Sequence, residues 1–366
     1  MVVKVSKPEL NLREKISELD KPSGVAGEAM LRAETPQEQF NLIGAGRRNL
    51  LINGDFQVSQ RGDYTTAGTA PNAYVLDRWL VDRNGTATVQ HTSGHDIPGS
   101  PAICKAVKLV QTVTGTNYLG VRQKIENPEQ YIGRTFTYSA WIKSNTPNAR
   151  IECYIPGTTP NMYFGPSHSG NGKWEYLSFT FTLNTGTPTA FHADVFIDNG
   201  AYSNVTLTAG EYVEATMLQL ELGKVATSFE HRSYGEELAL CMRYFEHCNG
   251  NGSVPVNGSS TTTYGAGCVG LAPVLLWHNA SFQGRPKVNF IAPKRVPPTV
   301  TRIGNSSGQF GYMTTGTAAP NGINTILFSS AIGIASITTT GFHINNQLTG
   351  LPIWGVGGGW IASAEL

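Results

Sequence analysis

From Asn49 onward the chain is cut about every ten residues by clusters of Gly, Pro, Asn and Ser, and the runs between them are short, β-branched and aromatic. That spacing leaves little room for helices and predicts a mainly β protein, a sandwich or barrel of antiparallel strands. Four runs alternate clearly: Phe136 to Lys143, Trp174 to Leu183, Ala193 to Asp198 and Tyr212 to Glu221. The helical exception is Tyr234 to Glu246, where Leu238, Cys241, Met242 and Phe245 recur on one face. It separates two β-rich regions, so the expected order is an N-terminal segment 1–48, a β-domain 49–233, a connecting helix 234–249 and a C-terminal β-domain 250–366. In the last, strands are expected at Val254 to Cys268, Ala272 to Trp277, Val288 to Ala292, Thr299 to Ile303 and Gly333 to Phe342.

Charge thins along this order. Residues 1–48 carry 15 charged side chains, residues 49–249 carry 32, and residues 250–366 carry 6. The first segment reads as two small helices, with Leu12, Ile16 and Leu19 on one face and a capping box at Thr35 to Glu38. Neither can hold a core alone, so this segment is expected to dock on a partner. No Asp or Glu stands between Glu246 and Glu365. A carboxylate base or a hard-cation site within 247–364 would need an acid from outside, expected from a neighbouring chain.

Two catalytic patterns match in form and fail in context. Gly265 to Gly270 fits G-x-G-x-x-G, but Pro273 stands where a helix should run and no acid follows to hold a ribose. Gly304 to Gly308 fits G-x-S-x-G in a region without a triad acid. The five cysteines form no C-x-x-C pair, and His231 and His247 read as a surface or capping pair around the helix. The middle-domain acids Asp55, Asp77, Glu152, Asp194, Asp198 and Glu214 are the candidates for a glycosidase pair, but strand rise sets Asp194 and Asp198 roughly 13 Å apart, too far for either hydrolytic geometry. Asp77 and Arg78 read as an ion pair at a strand end. The expectation is a protein that is not an enzyme, with no cofactor. The N-terminus shows no apolar signal segment and the chain no apolar run of membrane-spanning length, so neither Sec export nor membrane insertion is expected.

Aromatic residues offer binding surfaces instead. Trp79, Trp141 and Trp174 lie in strand-like runs, where core packing competes with an exposed sugar-stacking face. In the last domain Tyr264, Trp277, Tyr312, Trp354 and Trp360 stand near Gly-rich turns. Lys287, Lys294, Arg295 and Arg302 have no acid between them, which suits a solvated basic face or contact with acidic sugars and phosphates. Nucleic acid fits poorly, since the patch is small and not interleaved with aromatics.

Arg48 to Gly62, Tyr74 to Trp79, Phe136 to Lys143, Gly172 to Leu183, Gln219 to Glu246, Pro286 to Thr301 and Gly359 to Leu366 resemble bacteriophage tail-fibre and related virion proteins, many from marine and cyanobacterial phages. The resemblance covers most of the chain, and Asn49 to Gly62 and Thr227 to Glu246 are its most specific parts. It implies a jelly roll like a carbohydrate-binding module, followed by a second, sandwich-like β-domain at the tip. It further implies a homotrimeric tail fibre of the virion, assembled in the host cytoplasm. Its N-terminus would dock on tail proteins through Leu12, Ile16, Leu19, Phe40 and Leu42. Tyr264, Trp277, Lys294, Arg295, Tyr312, Trp354 and Trp360 would read host polysaccharide or lipopolysaccharide. Jelly rolls of this type often hold a structural calcium, for which Asn53, Asp55 and Glu221 are the candidate ligands. The chain lacks the long shaft of many fibres, which leaves a capsid decoration or head-fibre protein as an alternative, beside a carbohydrate-active enzyme module.

Overall fold

The computed structural model describes residues 47–62, 67–68, 73–93, 95, 97, 104–200, 202–249, 287–303, 310–314, 325–329, 332–346, 353–357 and 359–366. The helices expected before residue 44, and the strands expected at Val254 to Cys268 and Ala272 to Trp277, lie outside these residues.

The chain is mainly β, and its first domain is a two-sheet antiparallel sandwich. The front sheet contains β1 (Ala67–Gly68), β4 (Ala87–Ser93), β5 (Lys105–Gln111), β14 (Tyr212–Leu222), β8 (Thr135–Ser144) and β11 (Trp174–Thr182), in that spatial order. The back sheet runs β10 (Met162–Ser167), β9 (Ala149–Tyr154), β12 (His192–Ile197), β7 (Leu119–Lys124), β3 (Trp79–Arg83) and β2 (Ala73–Leu76). A small pair, β13 (Val205–Leu207) and β6 (Gly115–Asn117), lies at one end. The last strand of the domain, β14, returns to sit between β5 and β8, the crossing expected of a jelly roll.

Alternation explains the core. Along β8, Phe136, Tyr138, Ala140 and Ile142 point inward and are fully buried, and they meet Ala193, Val195 and Ile197 of β12 and Ile151 and Cys153 of β9. Trp79 is buried in this core, its Nε1 donating to the Asn53 carbonyl at 2.8 Å.

Residues 48–60 have no regular structure, yet most of them are buried, and side chains satisfy their backbone. Glu230 accepts from the amides of Arg48 and Asn49, both at 2.6 Å, and Arg232 donates to the Leu51 carbonyl at 3.0 Å. Asn49 bridges to Leu218 and Leu220, where a bulge in β14 places Met217 at φ 52°. A Cβ on Gly54 would stand 2.3 Å from the Leu218 carbonyl oxygen, so only glycine lets the segment close on that bulge. The two stretches most specific to the sequence resemblance, Asn49 to Gly62 and Thr227 to Glu246, therefore clasp each other.

The connecting helix α1 spans Tyr234–Met242, with Ser233 as N-cap. It is shorter than the sequence periodicity suggests. Phe245–His247 forms strand β15, pairing with β23 (Gly359–Ser363), so Phe245 is a strand residue of the C-terminal sheet. In the sheet β15–β23–β17, β17 is Thr299–Ile303. A second sheet holds β16 (Lys287–Asn289), β21 (Gly341–Asn346) and β20 (Ile332–Thr338), and a third β19 (Thr325–Ser329), β18 (Phe310–Thr314) and β22 (Ile353–Gly357). The single run expected from Gly333 to Phe342 is a hairpin, turning at Thr339 and Thr340 between β20 and β21.

The C-terminal residues lock this module to the sandwich. Glu365 bonds Arg78 at 2.6 Å and Arg61 at 2.9 Å, and the Tyr74 hydroxyl donates to the Leu366 carbonyl at 2.8 Å. Arg78 thus pairs with Glu365 and lies over the Tyr244 ring, while its sequence neighbour Asp77 accepts from Gln60. The expected Asp77–Arg78 pair is replaced because the two residues form the turn between β2 and β3, where Arg78 takes φ 70° and its side chain goes to Glu365 while the Asp77 carboxylate is held by Gln60.

Candidate functional site

The same alternation that buries Tyr138 and Ala140 turns Ser139 and Trp141 of β8 outward. Register then sets Tyr176 of β11 directly opposite Trp141, and Ser178 opposite Ser139. The Trp141 and Tyr176 rings lie 5.4 Å apart at 54°, and Tyr176 stays 43% exposed. Beyond β14 the chain folds back as a strap, and Ala226, Thr227, Ser228, Phe229 and His231 form the opposite wall of an open groove of about 410 Å³. Phe229 and His231 meet edge to face at 5.0 Å.

Beneath this groove Ile97, Cys104 and Met217 form a small apolar cluster against which Trp141, Trp174 and Phe229 pack. The aromatic walls are thereby held without being covered. Glu221 fixes the strap, accepting from the Thr227 amide at 2.8 Å and its hydroxyl at 2.7 Å. Burial raises the Tyr176 phenol above its ordinary pKa, opposed by its hydrogen bond with Ser139. At one end His95 packs on Trp174 and faces Glu214 at 3.4 Å; burial lowers its pKa, opposed by Glu214. Aromatic faces carry partial negative charge and attract polarised C–H groups, while the rim supplies hydroxyl donors and acceptors. Such a groove suits a ring with an apolar face and hydroxylated edges.

The outward face of the back sheet differs. One row across the strands reads Phe164, Glu152, Asp194, Arg122 and Leu80. Arg122 is clamped by Asp82 at 3.0 Å and Asp194 at 3.3 Å, and Tyr202 lies over it while donating to Asp194 at 2.6 Å. Tyr202 adopts φ 58°, in the left-handed region. Asp198 pairs with Arg150 at 3.4 Å. Glu152 is fully buried with neither carboxylate oxygen bonded; burial, then Asp198 and Asp194, push its pKa up to about 9. His192 is pulled down to about 3 by burial and by Arg122 and Lys124. Of the acids considered for a hydrolytic pair, Glu152, Asp194 and Asp198 come together on this face, with Asp194 bonded to Arg122 and Tyr202 and Asp198 paired with Arg150, whereas Asp77 is buried against Gln60.

The other expected site residues are scattered. Lys294 is buried and bonds Glu246 and the Met242 carbonyl, both at 2.5 Å. Trp360 is buried between Phe290 and Phe342, with centroids 5.6 Å from each. Neither presents a receptor surface: Lys294 is tied to Glu246 of β15, and Trp360, on β23, packs into the apolar core with Phe290 and Phe342. Arg295 faces Glu126 of the sandwich at 3.6 Å, so acids of the same chain serve these cations without a neighbour. Tyr312 lies on β18 and Trp354 on β22, paired strands. Leu12, Ile16, Leu19, Phe40, Leu42, Tyr264 and Trp277 fall outside the described residues.

The calcium candidates Asn53, Asp55 and Glu221 each have hydrogen-bond partners within the chain. The Asn53 amide is engaged by Val58 and the Asp77 carbonyl, Asp55 by Gln57, and Glu221 by Thr227 and Gln219. No cluster of three His, Cys, Asp or Glu suited to a metal occurs among the described residues. His247 is buried, bonding the Gln60 carbonyl through Nε2, whereas His231 is exposed in the groove wall.

The residues that the sequence reading missed are Tyr176, Phe229 and the hydroxyls of Ser139, Thr227 and Ser228. A signal existed for the first. In Trp174 to Thr182 the odd-spaced set Leu177, Phe179 and Phe181 is apolar, leaving Trp174 and Tyr176 on the polar side with Ser178 and Thr180.

No family model matches the sequence, and no curated protein matches it. Solved structures do. The enzymatically active domain of bacteriophage CBA120 tailspike protein 4 matches at 16% identity and TM-score 0.33, over 48% of this chain and 21% of that one. TmCBM61 in complex with β-1,4-galactotriose matches at 13% identity and TM-score 0.30, over 49% of this chain and all of that one. The CBM22-1 xylan-binding domain from Paenibacillus barcinonensis Xyn10C matches at 12% identity and TM-score 0.29, over 50% of this chain and all of that one. Likenesses of this size leave function to be read from the groove's own chemistry.

Proposed function

We propose that this chain is a non-enzymatic glycan-binding protein of a phage virion, a tail fibre that adsorbs to host envelope polysaccharide through the front groove of its jelly roll. The observation that carries glycan binding is the Trp141–Tyr176 pair, held open to solvent in a groove rimmed by Ser139, Thr227, Ser228 and His231. Pockets that orient a ligand combine apolar walls with a few placed polar groups, and this groove has both. Placement on the tail rests on the sequence resemblance at Asn49 to Gly62 and Thr227 to Glu246. In that reading residues 1–48 dock on tail proteins, and three copies of the chain present three grooves, so weak single-site affinity multiplies by avidity.

The test is a glycan array followed by titration of the best oligosaccharide. Trp141→Ala and Tyr176→Ala should each weaken binding by about tenfold or more, the loss of one well-made aromatic contact. Both variants should unfold cooperatively like the parent. Unchanged affinity in both would sink the groove assignment, and depolymerisation of host polysaccharide by the intact chain would sink the non-enzymatic reading.

A further inference from the structure

Where the sandwich meets the C-terminal module, a second cavity of about 200 Å³ opens at the end of β7, lined by Arg78, Lys124, Glu126, Asn127, Gln130 and Tyr244 among others. Pockets for whole small molecules measure roughly 300–1,000 Å³, so this one has room for a small group. Its charge is unbalanced. Arg78 is held by Glu365, by the Lys124 carbonyl at 2.7 Å and by the Tyr244 ring, yet its buried Nε has no partner. Glu126, the acid in the lining, is drawn to two guanidiniums, Arg243 at 2.9 Å and Arg295 at 3.6 Å.

Among the described residues Lys124 has no counterion within ion-pair distance. None of its neighbours among the described residues makes an ion pair or hydrogen bond with its ammonium. Asp82, the acid that acts on it, is committed to Arg122. Burial lowers the Lys124 pKa, and Arg122 and Arg78 lower it further. Among the described residues, the ion pairs of Arg78, Arg243 and Arg295 around the cavity are made to Glu365 and Glu126, and Lys124 makes none. A partly buried cation packed among cations is costly unless an anion joins it. The Asn127 side chain makes no capping bond to the turn that follows it, leaving its amide available on the rim.

We propose that this cavity binds a small oxyanion group, a carboxylate or a phosphate, with Lys124 and Arg78 as its cationic donors. The guanidinium is pre-positioned by Glu365 and Tyr244, and the ammonium supplies the uncompensated charge. The site is independent of the front groove, and it lies where the C-terminal residues close on the sandwich, so a bound anion would also tie the two modules together.

The test is calorimetric titration of the full chain with inorganic phosphate, with glucuronate and with glucose, at fixed ionic strength. Phosphate or glucuronate should bind and glucose should not. Lys124→Gln should weaken anion binding by about tenfold or more, the loss of one charge-assisted bond, and Lys124→Arg should restore most of it. Lys124 is partly exposed, so these variants avoid the folding risk of replacing buried Arg78. Binding of glucuronate assigns a sugar carboxylate as the source, and binding of phosphate alone assigns free or esterified phosphate; either supports the site. No binding of either anion, equal binding of glucose, or undiminished binding in Lys124→Gln would overturn it.

Discussion

The two outward faces of the sandwich are built by the same alternation and end in opposite states. On the front sheet the outward positions of β8 and β11 carry Trp141, Tyr176, Ser139 and Ser178, and the strap 226–231 stands aside to leave a groove. On the back sheet the outward positions of β9, β12 and β7 carry Glu152, Asp194 and Arg122, and Tyr202 folds down over them. A neutral aromatic and hydroxyl surface tolerates water and stays open. A row of ionisable groups close together is stable only if each finds a partner or, like Glu152, keeps its proton, and the loop bearing Tyr202 supplies a partner to Asp194 and a ring over Arg122. An outward-facing residue is therefore not the same as an exposed one.

The largest effect should come from breaking the closed face. Arg122→Ala leaves Asp82 and Asp194 without their shared cation, and loss of one member of a buried pair costs about 3–5 kcal/mol. Urea unfolding should register that loss while front-groove glycan affinity, measured on protein still folded, stays within about twofold. A loss below about 1 kcal/mol would mean that water reaches the row and that the two faces are more alike than described.

Next in size is the pH dependence of the same face. The Glu152 pKa is raised from 4.5 to about 9, so the folded chain holds a proton that the unfolded chain releases above pH 4.5. Stability should fall as pH rises through that window and level off above about 9. Glu152→Gln, which mimics the protonated acid, should flatten that part of the profile. His192 acts in the opposite direction. Its pKa falls from 6.5 to about 3, so its contribution is full above 6.5 and is lost as pH drops toward 3. A Glu152→Gln profile that parallels the parent from pH 5 to 9 would contradict the buried, protonated state.

The smallest stability effect belongs to the open face. Tyr176 is already 43% exposed, so Tyr176→Ala should cost about 1 kcal/mol or less in unfolding free energy. Its effect should appear in ligand binding instead. A stability cost as large as that of Arg122→Ala would mark Tyr176 as a packing residue and weaken the groove reading.

Much of the fold was legible in the sequence, and particular residues show why. The runs read as strands from Phe136, Trp174, Ala193 and Tyr212 onward are β8, β11, β12 and β14. Local alternation and turn residues specify strands almost independently of what they pack on. The second module was read less well. Lys294 and Arg295 resembled a basic surface because no acid lies near them in sequence, but Glu246 and Glu126 reach them through space, and Trp360, which stands near Gly-rich turns, is buried against Phe290 and Phe342. Phe245 was read as helical, and its pairing with Ser363 made it a strand.

The three tryptophans draw the final distinction. Trp79, Trp141 and Trp174 all sit in alternating runs, and local sequence fixed that each would stand on one side of a strand. Only the assembled sheets decided that Trp79 would fill the core, that Trp141 would line a groove whose opposite wall comes from residues 226–231, and that Trp174 would pack on the small apolar cluster beneath it. The same holds for Arg78 and Lys124, whose lack or gain of a counterion depends on where Glu365 and Glu126 are carried by the rest of the chain. Periodicity is a property of neighbours a few residues apart and survives in the linear sequence. Exposure and charge balance are sums over everything within a few ångströms, and those neighbours exist only once the chain has folded.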